Sequence, residues 1–218
     1  MGGLYLREHI FYNVRMITTI DNKTHQTGKA ISHWDVSDSE IPSPIRCVCD
    51  GQAGQWLLIV GPHSIRHMMM TVIAGLPEHV PVRVLDGGNQ FDAYRIARFV
   101  RGSPACLERI KISRAFSCYQ VLTLLENTPS VAEPFVVLDM LNTFYDESVK
   151  IWERKRLLRK CLENLGRLQK YAGGAVSISP PRVRSKEATE LFKMVEAAAK
   201  DTYQVEMMIP SREMSRLF

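Results

Sequence analysis

From Gln55 onward the chain alternates short apolar runs of strand length with longer stretches of helical character, and this alternation restricts the fold more than any other feature. "WLLIV" (56–60) precedes a Met-rich helical stretch over 68–73, and "VRVLD" (82–86) precedes "FDAYRIARFVRG". "RIKIS" (109–113) precedes "FSCYQVLTLLE", and "FVVLDM" (135–140) precedes a long helix. "AVSIS" (175–179) precedes "SKEATELFKMVEAAAK" (185–200), and "YQVEMMI" (203–209) closes the series. Five consecutive strand–helix units predict an α/β fold, a mostly parallel sheet with helices on both faces. Right-handed crossovers then leave few topologies.

The first residues follow a different pattern. "VRMITTI" (14–20) and "KAISHWDV" (29–36) flank the polar stretch "DNKTHQTG" as a hairpin would, and "SDSEIPSPIR" reads as a connector. The expected organisation is a small β-rich N-terminal extension and linker over 1–53 and a core domain over 54–218. The long helix in the core is marked by Leu158, Cys161, Leu162, Leu165 and Leu168, which recur at three- and four-residue steps as one apolar stripe. Gly173-Gly174 is expected to end it and turn the chain into the next strand.

Composition narrows the class. No apolar stretch approaches the ~18–20 residues that span a bilayer, so no membrane association is expected. Arg7, Glu8 and His9 interrupt the opening stretch against a secretory signal, and Leu6 stands where a myristoylation signal wants Ser or Thr. The expected location is cytoplasmic or nuclear. The cysteines at 47, 49, 106, 118 and 161 form no disulfide framework, and Cys47 and Cys49 have no second pair at metal-ligand spacing. His63 and His67 lack the adjoining acid of a His-Glu-x-x-His zinc helix, so no metal is expected. The formal charge is +5, and residues 150–170 alone carry +6. The basicity is local.

"WLLIVGPHSIRHMMMT" (56–71) opens as a phosphate-binding strand–loop–helix opens. "VLDGGNQFDAYRIARFV", "IKISRAFSCYQVLTLLE", "FVVLDMLNTFYDE" and "RKCLENLGRLQKYAGGAVSIS" follow in order. Together these stretches, over about 54–209, resemble the P-loop-type ATPase core of the RecA-like recombinases, closest to the archaeal and eukaryotic strand-exchange proteins and their paralogues. Set against the family's phosphate loop, G-x-x-x-x-G-K-[ST], the chain keeps Gly61. It places Arg66 at the second glycine, His67 at the lysine and Met68 at the hydroxyl. A methionine cannot serve Mg²⁺, which wants oxygen ligands. Gly88 stands where the family has its water-activating Glu, while Asp139 matches the Walker-B aspartate. Gly61, Arg66, His67 and Asp139 thus read as a vestigial nucleotide site. The resemblance implies a pseudo-ATPase with no catalytic residue and no cofactor. An atypical hydrolase using Arg66 or His67 with ATP and magnesium is the alternative.

The same resemblance places two DNA-contacting loops at about 142–154 and 180–188. Lys150, Arg154, Lys155 and Arg156 lie in or beside the first, and Arg182, Arg184 and Lys186 in the second. Phe144, Tyr145 and Trp152 offer stacking surfaces, and cations interleaved with aromatics suit single-stranded DNA. Asp146 and Glu147 dilute that charge. The family's F-x-x-A tether is absent from the first fifty residues, "FYNV" (11–14) being nearest. The implied partners are DNA and a recombinase or paralogue in a heteromeric complex, met through the N-terminal strands or an open sheet edge. A protein-interaction module that touches no nucleic acid is the third reading.

Overall fold

A computed structural model describes residues 11–20, 23–25, 30–35, 53–62, 65–77, 79–100, 104–181 and 185–208. The strands are β1 (Phe11–Ile20), β2 (Lys23–His25), β3 (Ala30–Asp35), β4 (Trp56–Val60), β5 (Val82–Asp86), β6 (Ile110–Arg114), β7 (Phe135–Leu138), β8 (Gly174–Ile178) and β9 (Asp201–Met208). The helices are α1 (Arg66–Gly75), α2 (Ala93–Phe99), α3 (Pro104–Glu108), α4 (Cys118–Asn127), α5 (Ile151–Leu168) and α6 (Lys186–Ala198). A short 3₁₀ turn, Asn142–Tyr145, follows β7.

Among the described residues, nine strands form one sheet, in the order β2-β1-β9-β4-β8-β7-β5-β6, with β3 also paired to β1. The six strands from β9 to β6 are parallel throughout, as the strand–helix alternation predicts. The N-terminal strands extend this sheet. β1 runs antiparallel to β9 from Thr18 opposite Asp201 to Phe11 opposite Met208, and it pairs with β3 as the hairpin pattern suggests. Lys23–His25, read as part of a turn, doubles back as a strand along Thr18–Ile20.

Alternation across the pleat explains the unbroken apolar strands. Trp56, Leu58 and Val60 face a layer with α4, α5 and α6, while Leu57 and Ile59 face α1 and α2. On β7, Phe135 and Val137 join the first layer and Val136 and Leu138 the second. Both faces are covered, so each of these residues is buried.

Local chemistry starts the helices at these points. The side chains of Asp92, Ser117 and Ser185 accept hydrogen bonds from the amides of Arg95, Gln120 and Ala188, satisfying first-turn donors of α2, α4 and α6. At the far end of α1 the buried Arg109 donates to the carbonyls of Ile73, 2.8 Å away, and Val80. α3 is a single turn opened by a proline, too short for periodicity to reveal. In α5 the buried stripe is Leu157, Leu158, Cys161, Leu165 and Leu168, with Leu162 at its margin. α5 stops at Leu168, ahead of the glycine pair; Gly174 instead opens β8, where a β-carbon would fall inside the Phe135 ring.

Candidate functional site

Two amides of the turn after β4 bond within the protein. The Gly61 amide donates to the Ile178 carbonyl at 3.2 Å, and the Ile65 amide donates to the Pro62 carbonyl at 2.8 Å. Pro62 has no amide hydrogen. Ile65 is buried, and its Cδ1 lies 2.9 Å from where a Gly61 β-carbon would sit, so an apolar side chain packs beneath the loop glycine. Residues 63–64 lie outside the described residues.

The three side chains at the family's chemical positions then diverge. Arg66 is exposed at the start of α1. His67 is half-buried, and its Nδ1 has no hydrogen-bond partner. Burial, and next the charges of Arg95 and Arg66, lower its pKa to about 4 against the opposing pull of Asp92. The imidazole at the lysine position is therefore neutral at pH 7 and brings no cation. Met68 is fully buried with Met69 and Met70 in the layer between α1 and the sheet. Its thioether faces the core.

Across the sheet ends, two buried carboxylates are held by amides. Asp86, the last residue of β5, accepts from the amides of Gln90 at 2.8 Å and Phe91 at 3.0 Å, and meets Arg114 Nε at 3.3 Å. Asp139, just past β7, accepts from the Ser179 amide at 3.0 Å and from Gln90 Nε2 at 3.4 Å. Its own amide donates to Ser177 Oγ at 2.9 Å. Gln90 thus bridges the two acids, one through its backbone and the other through its side chain. Asp139 adopts φ +46°, the left-handed region that an L side chain seldom occupies. A β-carbon on Gly88 would come 2.5 Å from the Asp139 β-carbon, so this backbone leaves no room for the family's glutamate at that position. Tyr145 completes the surround; its hydroxyl donates to the Ser179 carbonyl, and burial with the nearby Asp139 raises its pKa.

Gln90, Ser177 and Ser179 were not singled out from the sequence. The available signal was the pair of serines in the otherwise apolar run "AVSIS". Among the described residues, no three His, Cys, Asp or Glu side chains converge to hold a metal ion. No described helix is long and apolar enough to cross a membrane.

The basic residues separate into different roles. Lys150 is exposed at the N-cap of α5, and Lys186 is exposed at the first position of α6. Arg154 is only 2% exposed; it donates to the Phe144 carbonyl at 3.2 Å and pairs with Glu187, tying α5 to the 3₁₀ turn and to α6. A guanidinium enclosed on these partners does not face solvent. Lys155 pairs with Glu190 at 2.5 Å, and Arg156 binds both carboxylate oxygens of Glu153 at 2.7 and 2.6 Å. Arg182 and Arg184 lie outside the described residues. Of the expected stacking rings, Phe144 is core and Tyr145 is half-buried, while Trp152 is 62% exposed. Phe116 and Tyr119, which sequence reasoning did not select, are also exposed.

Compared with known proteins, the chain matches no family model and no curated protein.

Proposed function

We propose that this chain is a non-hydrolysing RecA-like recombinase paralogue that assists DNA recombination or repair by docking, to single-stranded DNA and to a recombinase partner. One observation supports the loss of hydrolysis: beyond β4 the Gly61 and Ile65 amides bond within the protein, a neutral half-buried His67 stands at the lysine position and Met68 is buried in the core. The closed position at Gly88 supports the same reading, since no carboxylate stands there to orient a water. Asp139 in this reading is a structural acid fixed by Ser179 and Gln90. The motif resemblance supports the recombinase reading, and the exposed Lys150, Arg159 and Lys160 support DNA as a partner.

The experiment combines phosphate release with DNA retention. Purified protein is incubated with ATP and Mg²⁺, with and without single-stranded DNA. Retention without turnover is expected. Turnover that disappears in Asp139→Ala would establish a live hydrolase instead. The absence of both activities would leave a module for protein contact alone.

A further inference from the structure

Three aromatic rings are left in solvent at the heads of two neighbouring helices. Phe116, in the turn leading into α4, is 74% exposed; Tyr119, in the first turn of α4, is 47% exposed; Trp152, in the first turn of α5, is 62% exposed. α4 and α5 cover the same sheet face and run side by side in one direction. At their heads Cys118 lies within Coulombic reach of Arg154, and at their feet Arg167 donates to the Leu125 and Thr128 carbonyls. Tyr119 is within Coulombic reach of Arg156. Trp152 stands one turn before Arg156, a rise of about 5.4–6 Å toward the end where Phe116 lies.

The outward stripe of α5 continues from Trp152 through Arg156, Arg159 and Lys160, all exposed and spaced for one helix face. Glu153 and Arg156 bind each other, which leaves Arg159 and Lys160 as the cations of this stripe outside that pair. Grouped exposed rings on a soluble domain mark a binding surface. Cations in line with them complement a repeating negative charge, and flat rings accept bases that a duplex would hide.

We infer that the heads of α4 and α5 form a stacking ridge for single-stranded nucleic acid, with Phe116, Tyr119 and Trp152 receiving bases and Arg159 and Lys160 meeting phosphates. This rests on the DNA-docking function proposed above and places the contact on the outer face of the two helices, away from the enclosed Arg154.

The test is an anisotropy titration of the full chain against a labelled oligothymidylate at low salt, read together with tryptophan fluorescence. Binding is expected to quench the emission. Trp152→Ala should abolish that quench and weaken binding about tenfold, Phe116→Ala and Tyr119→Ala should weaken it by a similar factor, and Trp152→Phe should keep most of the affinity. Arg159→Glu with Lys160→Glu should flatten the salt dependence. Circular dichroism melts establish that each variant is folded. Undiminished binding in a folded Phe116→Ala/Trp152→Ala double variant overturns the ridge and leaves the docking function standing. No binding by the wild type overturns both. Self-association lost in the double variant, with DNA binding intact, assigns the rings to a protein contact and also overturns the inference.

Discussion

Gly88 and Asp139 meet across the ends of adjacent parallel strands, and a β-carbon on Gly88 would lie 2.5 Å from that of Asp139. The hydrogen at Gly88 is therefore a packing requirement of the same network that holds Asp139. Gly88→Ala should cost roughly 1–3 kcal/mol by overpacking, and Gly88→Glu more, without creating ATP hydrolysis. Asp139→Gly removes the opposing β-carbon at a left-handed position that glycine accepts, so the Gly88→Ala/Asp139→Gly pair should cost less than the sum of the two. Urea denaturation of all four proteins checks this. Additive costs would show that the two positions do not collide.

His67 links folding to pH. Its pKa is lowered from 6.5 to about 4, so the unfolded chain takes up this proton at higher pH than the folded one. Its contribution to stability is full above about 6.5 and is lost as pH falls toward 4. Because solvent reaches part of the ring, the discounted effect is roughly 1–2 kcal/mol. From about pH 7.5 to 4 the wild type should lose roughly 1–2 kcal/mol more stability than His67→Gln, and parallel stability curves would refute the linkage.

Arg154 and Glu187 form an asymmetric pair, 3% and 46% exposed at the side chain. Glu187→Ala leaves a guanidinium enclosed with the Phe144 carbonyl as its remaining hydrogen-bond acceptor and should cost roughly 2–4 kcal/mol. Lys155→Ala and Arg156→Ala remove solvent-screened pairs and should leave stability close to that of the wild type. Thermal melts of the three variants decide it. Equal costs would show that burial does not distinguish these pairs.

Met68 occupies the hydroxyl position of the resembled loop while filling the core. Met68→Ser opens a cavity and buries a hydroxyl, at a cost of about 2–5 kcal/mol. It should gain no magnesium-dependent nucleotide affinity by isothermal titration calorimetry, because the neutral His67 and the internally bonded Gly61 and Ile65 amides are unchanged. Tight Mg·ATP binding by this variant would show that the hydroxyl alone was missing.

The layer architecture follows from the order of the residues alone. Apolar runs of four to six residues alternating with helical stretches can bury both strand faces only in a helix-covered parallel sheet, and Asp92, Ser117 and Ser185 mark three helix starts through local hydrogen bonds. That His67, Met68 and Gly88 stand where the resembled motifs carry lysine, a hydroxyl and glutamate is a matter of residue identity alone. Strand order, the joining of β1 to β9, and the fate of each cation were decided by the tertiary structure. Arg154 and Arg156 are two residues apart in one basic run, yet the turn of α5 encloses the first against Glu187 and leaves the second in solvent beside Tyr119. Likewise Phe144 and Phe116 are both phenylalanines in polar surroundings, and only packing sent one inside and the other out. A charge or a ring carries its chemistry in the sequence, but its surroundings come from residues tens of positions away.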